Sequence, residues 1–228
     1  MLVKCPDCDR EMSDEASRCP GCGKPNAGAE GFGVDPVWWL RATLCFASGL
    51  IAAPLTILTH ELGHFLAGLA FNHPGVVIHY GSVTSDAAKA GYPSWQLAIG
   101  AAAGPLVTCA TVILCCYLVA RYRPHPLVVA VGLFAPLKFS VGLVFIYYWL
   151  SGVRNSSPNF DEFNVAKQAG ISPFIPILIG VLVLVGGWFW LIRSIPRGNR
   201  ILVLTTSIVG AFIGLALYAG TIGPRLLP

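Results

Sequence analysis

Five apolar stretches, each long enough to cross a bilayer as a helix, constrain this chain more than any other feature. They occupy 37–71, 95–120, 127–150, 173–195 and 201–223. About 20 apolar residues suffice for one helical crossing. Only 11% of the residues are charged and 55% are apolar. Soluble domains carry roughly 25% charge, so a soluble fold is excluded. The expected fold is an all-α polytopic membrane protein with about five transmembrane helices.

The first stretch is longer than one straight crossing requires. It reads either as a single tilted helix, with Trp38 and Trp39 at the headgroup level, or as a hairpin turning near Ser48-Gly49 or Pro54, which would give six crossings. Charge placement favours the single helix. With the N-terminus in the cytoplasm, five crossings gather Lys4, Arg10, Arg18, Lys24, Arg41, Arg121, Arg123, Arg193, Arg197 and Arg200 on the inside. Lys89, Arg154, Lys167 and Arg225 fall outside. Ten against four obeys the positive-inside rule. The basic residues therefore read as topology signals, and no nucleic-acid partner is expected.

The first 25 residues differ in kind. Residues 1–30 hold ten of the 26 charged residues, and Cys5 and Cys8 arrive before any apolar segment, so no secretory signal is read there. Cys5-x-x-Cys8 and Cys19-x-x-Cys22 fit one tetrahedral Zn²⁺ held by four thiolates. So short a segment has no useful apolar core, and metal would supply much of its folding energy. Residues 1–25 thus read as a structural zinc ribbon, 26–36 as a Gly-rich linker, and 37–228 as the membrane domain. Reducing thiolate chemistry also places the ribbon in the cytoplasm.

The chemistry is concentrated in His60-Glu61-Leu62-Gly63-His64, which follows Leu55-Thr56-Ile57-Leu58-Thr59 inside an apolar helix. His60 and His64 lie one turn apart on one face and can share a Zn²⁺. Glu61, about 100° around the helix, can accept a proton from a water on that metal. Three ionisable groups in a membrane helix are costly unless something engages them.

A third protein ligand has to come from elsewhere. Asp161, Glu162, Asp86, His73 and His79 are candidates. The connection 151–172 lies on the side of the membrane where His64 nears its helix end, so either Asp161 or Glu162 could fold back onto the metal, and Asp161 is favoured. Gly104-Pro105 in the second crossing is expected to line the site, since a small residue permits close approach and proline loosens the helix. Lys138, in the third crossing, needs an acceptor or a wet cavity and could face the site or pair with a carboxylate such as Asp161. Gly210-x-x-x-Gly214 reads as helix packing. The β-branched run Val76–Val83 reads as a short strand near the membrane face, suited to hold an extended substrate.

With His60-Glu61-Leu62-Gly63-His64 in one helix and Ala103-Gly104-Pro105-Leu106 in a later one, the chain resembles the site-2 protease family of intramembrane metallopeptidases over roughly residues 40–170. That family cleaves membrane-anchored proteins, often anti-sigma factors or transcription factor precursors. The resemblance implies that His60 and His64 bind zinc, that Glu61 is the general base, and that Gly104-Pro105 lines the site. Two departures stand out. Val107-Thr108 occupies the place where the family often has Asn. The family's Asp-Gly motif, source of its third ligand, is missing; Asn159-Phe160-Asp161-Glu162 is the nearest counterpart. No soluble insertion is long enough for a PDZ-like domain.

The sequence thus points to a zinc metalloendopeptidase with one catalytic and one structural Zn²⁺. Its partners are the lipid bilayer and a membrane-anchored protein substrate, and the ribbon could also recruit a protein. A membrane scaffold, a metal sensor, or a metal or proton transporter are the rival functions.

Overall fold

The computed structural model describes residues 2–5, 7–13, 16, 18–24, 38–122, 125–152 and 159–227. The linker 26–36, together with Arg123, Arg154 and the piece 155–158, lies outside the described residues.

Five helical segments are long and apolar enough to cross a membrane. The first is α1, Trp38–Ala70, one continuous helix of 33 residues. At 1.5 Å per residue it is about 50 Å long, so it crosses once and carries its Trp-rich start beyond the hydrocarbon. The hairpin alternative, and with it a sixth crossing, does not occur. Pro54 interrupts the hydrogen-bond ladder without breaking the helix. The carbonyl it deprives of a donor is that of Leu50, against which Gly214 of the last crossing packs.

The second crossing is α2, Ser94–Arg121, which runs through Pro105 uninterrupted. The third is composite. Helix α3, Pro126–Phe134, passes into a 3₁₀ turn, Ala135–Phe139, and then into α4, Ser140–Leu150. Pro136 removes a donor at this junction, and Trp188 Nε1 donates to the Leu133 carbonyl at 2.8 Å. The 3₁₀ turn carries Lys138. A short helix too small to span, α5, Asp161–Ala169, starts on two acidic residues and ends at Gly170, which takes a left-handed φ of 67°. The fourth crossing is α6, Phe174–Ser194. The fifth runs Gly198–Leu226 through α7, Arg197–Leu217, a π-helical turn and α8, Gly223–Leu226.

Val76–Val83 is not one strand. It folds into a tight antiparallel hairpin of two short strands, β3 at Val77–Ile78 and β4 at Val83–Thr84. The intervening His79-Tyr80-Gly81-Ser82 forms the turn, closed by a bond from His79 N to the Ser82 carbonyl at 2.8 Å. The hairpin is tied to the end of the chain: Tyr218 donates to the Tyr80 carbonyl at 2.8 Å, and Tyr80 N donates to the Leu227 carbonyl.

Large apolar side chains such as Leu55, Leu66, Ile113, Leu182 and Phe189 point outward and are exposed, as expected where lipid is the solvent. The interior uses small residues instead. A Cβ added to Gly49 would strike the Ser207 carbonyl, and one on Gly210 would strike the Phe46 carbonyl, so α1 and α7 touch backbone to backbone. At the other seam, Val119, Val129, Leu133, Leu191 and Ile195 form a buried cluster between α2, α3 and α6. Arg200 closes the C-terminal end of α6 by donating to the Ile195 carbonyl at 3.0 Å.

Replacing Gly210 with Leu should force α1 and α7 apart and cost about 1–3 kcal/mol of stability. Gly186, with open space around it, should tolerate Ala. Unfolding midpoints measured in detergent micelles for the two variants check this difference.

Candidate metal centre

Two groups of side chains could each hold a metal ion. The first is built on the hairpin of β1, Leu2–Lys4, and β2, Glu11–Ser13. Its two Cys-x-x-Cys turns are near copies of each other. Asp9 N donates to the Cys5 carbonyl and Gly23 N to the Cys19 carbonyl, while Cys5 N and Cys19 N donate to the Arg10 and Lys24 carbonyls. Asp9 and Gly23 both take positive φ. The thiols meet across the two turns, with Cys5 and Cys22 Sγ 3.7 Å apart and Cys8 and Cys19 Sγ 3.6 Å apart. Zinc–sulfur bonds of about 2.3 Å at tetrahedral angles place the sulfurs about 3.8 Å apart. The donor set therefore fits one zinc, and all four cysteines are free of disulfides. Backbone N–H groups of Cys22 and Gly21 pull the Cys19 thiol down to about 6, whereas the contact with Cys19 pushes the Cys8 thiol up.

The second group lies within the membrane domain. His60 and His64 project from α1 toward α2, and Asp161, the first residue of α5, reaches both. His60 Nε2 lies 2.9 Å and His64 Nε2 lies 3.4 Å from Asp161 Oδ2. The two Nε2 atoms are 3.2 Å apart. Tetrahedral ligands at zinc distances of 2.0–2.1 Å are about 3.3 Å apart, so these three atoms already have the spacing of a zinc shell.

The imidazoles are held from behind. His64 Nδ1 donates to the Gly100 carbonyl at 2.7 Å. A carbonyl only accepts, so Nδ1 carries the proton and Nε2 offers a lone pair. His60 Nδ1 pairs with the Thr108 hydroxyl at 2.8 Å. Gly104 sits between these supports, and a Cβ there would run into His60 Nε2 and His64 Nε2. Gly100, Gly104 and Thr108 recur every four residues, so one stripe of α2 cradles both rings. Gly63 completes the fit: a Cβ on it would stand 2.7 Å from the Ala103 carbonyl.

Glu61 lines the same cleft as the three-residue cluster. It is 4% exposed, and Lys138 Nζ donates to its Oε1 at 2.8 Å. Lys138 thus pairs with Glu61 and not with Asp161. Burial opposes ionisation of Asp161, but hydrogen bonds and charge from His60 and His64 outweigh it and hold the carboxyl well below the usual carboxylate range. The neighbouring Glu162 goes the other way, pushed up to about 7 by burial. Asp161, not Glu162, is the carboxylate that reaches both imidazoles.

The remaining candidates lie off the cluster. Asp86 pairs with Lys89 at 2.9 Å, and His79 lies beside Thr84 at 3.3 Å. His73 packs edge-on to Tyr92 at the cleft mouth. Pro105 does not line the metal cleft; it faces an apolar recess with Leu106, Cys109, Phe139 and Glu162. Thr108 and the Gly100 carbonyl were not among the sequence candidates. The four-residue spacing of Gly100, Gly104 and Thr108 was the signal that could have found them.

The cluster opens into a cleft of about 510 Å³, lined by His60, Glu61, His64, Lys138 and Asp161 and, from the hairpin, by Ser82, Val83 and Ser85. Structural zinc sites are closed by four protein ligands, whereas catalytic ones keep a position open. The four-thiol group offers four donors, and the His-His-Asp group offers three beside an open cleft.

No known family, curated protein or solved structure matches the chain.

The purified chain should carry two zinc ions. His60→Ala or Asp161→Ala should remove one, Cys8→Ser with Cys19→Ser should remove the other, and Glu162→Gln should remove neither. Elemental analysis per chain distinguishes these outcomes. Thr108→Val should weaken the membrane-domain site about 10–100-fold, the usual cost of losing a partner behind a histidine ligand.

Proposed function

We propose that this protein is an intramembrane zinc metalloendopeptidase of the site-2 protease type, hydrolysing peptide bonds in membrane-anchored proteins. One observation carries the reading: a buried carboxylate, Glu61, stands beside a three-ligand metal cluster that opens to a cleft. A metal-storing or sensing site needs the ligands but has no use for Glu61 at that place.

His60, His64 and Asp161 would hold the zinc. When bound, it supplies Lewis acidity to a water and to the scissile carbonyl. Glu61 takes a proton from the attacking water as the new C–O bond forms. It then hands that proton to the amide nitrogen as the C–N bond breaks, leaving a carboxylic acid and an amine. Gly104 and Gly100 keep the histidines turned toward the cleft. The cleft supplies the water that a site inside a bilayer otherwise lacks.

A peptide bond inside a helix is shielded, so the substrate must be extended at the point of cleavage. Strand β4 has one unpaired edge among the described residues, and Val83 and Ser85 line the cleft. An extended segment adding to that edge would be led past Glu61.

The proposed orientation puts the ribbon, as a separate unit of residues 1–25, in the cytoplasm. It follows from the ends where Arg121, Arg193 and Arg200 gather, all on the side where α1 begins. The site then lies toward the opposite face.

Glu61→Gln should keep both zinc ions and lower cleavage of a dye-quenched casein in micelles by at least about 10³-fold, the scale expected for losing a general base with its proton transfer. Full activity in this variant would reject Glu61 as the base, and metal-dependent flux across vesicles without cleavage would favour a transporter instead. Val83→Pro should remove edge pairing and raise KM, whereas an unchanged KM would end the role assigned to β4.

A further inference from the structure

This inference rests on the peptidase reading and adds a residue to it. We propose that Lys138 is an electrophilic catalytic residue: its ammonium donates a hydrogen bond to the scissile carbonyl oxygen as negative charge develops there.

A lysine in the middle of a crossing is costly, and the ordinary explanation is a counter-ion. Lys138 does pair with Glu61, at 2.8 Å. The two partners are not equally enclosed, however. The Glu61 side chain is 5% exposed, whereas that of Lys138 is 36% exposed. A pair serving only neutrality would gain from hiding both charges. Here the Glu61 side chain is enclosed, whereas the Lys138 side chain, which lines the cleft, stays partly exposed.

The backbone is shaped to put it there. Lys138 sits on the 3₁₀ turn Ala135–Phe139, between buried Pro136 and Phe139. In the tighter turn, side chains three apart eclipse, and such a break within a helix often marks a functional position. The break is stabilised from outside by Trp188 on the Leu133 carbonyl. Across it, Gly180 and Gly142 admit Phe139 and Ile177, so the turn is wedged in place.

Several other polar groups around the cleft are already paired. The Nδ1 atoms of His60 and His64 are bound to Thr108 and Gly100. Asn164 is bound to Asn159 at 3.2 Å. Lys138 is the one Lys or Arg among the described residues lining the cleft, and it already touches the general base.

The step balances without a co-reactant. The water oxygen bonds to the carbonyl carbon while its proton passes to Glu61. The carbonyl electron pair moves onto the carbonyl oxygen, and Lys138 donates to that oxygen without surrendering its proton. When the C–O double bond reforms, the C–N bond breaks and nitrogen takes the proton from Glu61. As Glu61 becomes neutral it releases the ammonium, so Lys138 is freed when the oxyanion appears. A preorganised donor of this kind is worth about 10²–10³ in rate.

The test compares Lys138→Met, Lys138→Gln and Lys138→Arg with the wild-type chain in micelles. Its readouts are dye-quenched casein cleavage, zinc content, and binding of a hydroxamate and a phosphinic pseudopeptide. The hydroxamate engages the metal and Glu61, whereas the phosphinic group copies the tetrahedral intermediate. We expect two zinc ions in every variant, kcat lowered about 100-fold in Lys138→Met with KM within threefold, and phosphinic affinity lowered about as much. Hydroxamate affinity should stay within about threefold, and Lys138→Arg should recover part of both losses. Equal loss of both inhibitors, or loss of neither, reduces Lys138 to a counter-ion and overturns the proposal. If Lys138→Met does not fold, Lys138→Gln and Lys138→Arg carry the same comparison. Wild-type cleavage that Glu61→Gln abolishes but Lys138→Met leaves intact overturns only the Lys138 role. No cleavage by the wild-type chain overturns the peptidase reading and this inference together.

Discussion

Three potential ligand atoms from two distant parts of the chain converge inside an apolar bundle, and close helix contacts permit that convergence. His60 Nε2, His64 Nε2 and Asp161 Oδ2 lie within 3.4 Å of one another. Bringing such groups together away from water is costly unless a cation engages them. The helix contacts around them are of the kind that permits the approach. Gly63 lets α2 press against α1, Gly104 leaves room for both imidazoles, and Gly49 with Gly210 locks α1 to α7 behind them.

The two metal-binding groups have opposite designs. In the ribbon, four thiols close around one position, and two matching turns aim backbone N–H groups at the sulfurs, as with Gly21 N donating to Cys19 Sγ at 3.3 Å. Metal binding at such a site would contribute folding energy to a segment with little apolar core. In the membrane domain, three ligands and a cleft leave one side free, with Glu61 and Lys138 along it. The third ligand comes from α5, a helix that does not span and that packs beside α2 and α6. Asp161 is thus delivered from the membrane face, as the first residue of a short helix.

Much of this was legible in the residues because lipid imposes simple rules. Apolar runs and basic clusters gave five crossings, and His60-Glu61-x-x-His64 gave the ligand pair. The single crossing at α1 followed from charge alone and holds despite Pro54, because the proline's lost bond is local and α7 covers the freed carbonyl. What escaped was what depends on tertiary approach. Val76–Val83 reads as a strand by its β-branched residues, yet the chain turns at His79–Ser82 into a hairpin, and that turn is anchored at Tyr80 by Tyr218 from the far end of the sequence. Thr108 looked like a substitution within a motif and turns out to support His60. Side of membrane made both Asp161 and Glu162 eligible, but two adjacent acids cannot be separated without knowing which way the first turn of α5 faces. Lys138 had an evident need for a partner, and only packing of the 3₁₀ turn against α1 shows that the partner is Glu61.

The central claim is that the membrane domain binds zinc through nitrogen and oxygen alone. Zinc-edge X-ray absorption on a chain with Cys5, Cys8, Cys19 and Cys22 replaced by Ser tests it without interference from the ribbon. The account predicts one zinc per chain with a first shell of light atoms at about 2.0–2.1 Å and an imidazole scattering pattern. A folded chain that retains no zinc under these conditions, or whose zinc shows no imidazole shell, would contradict it.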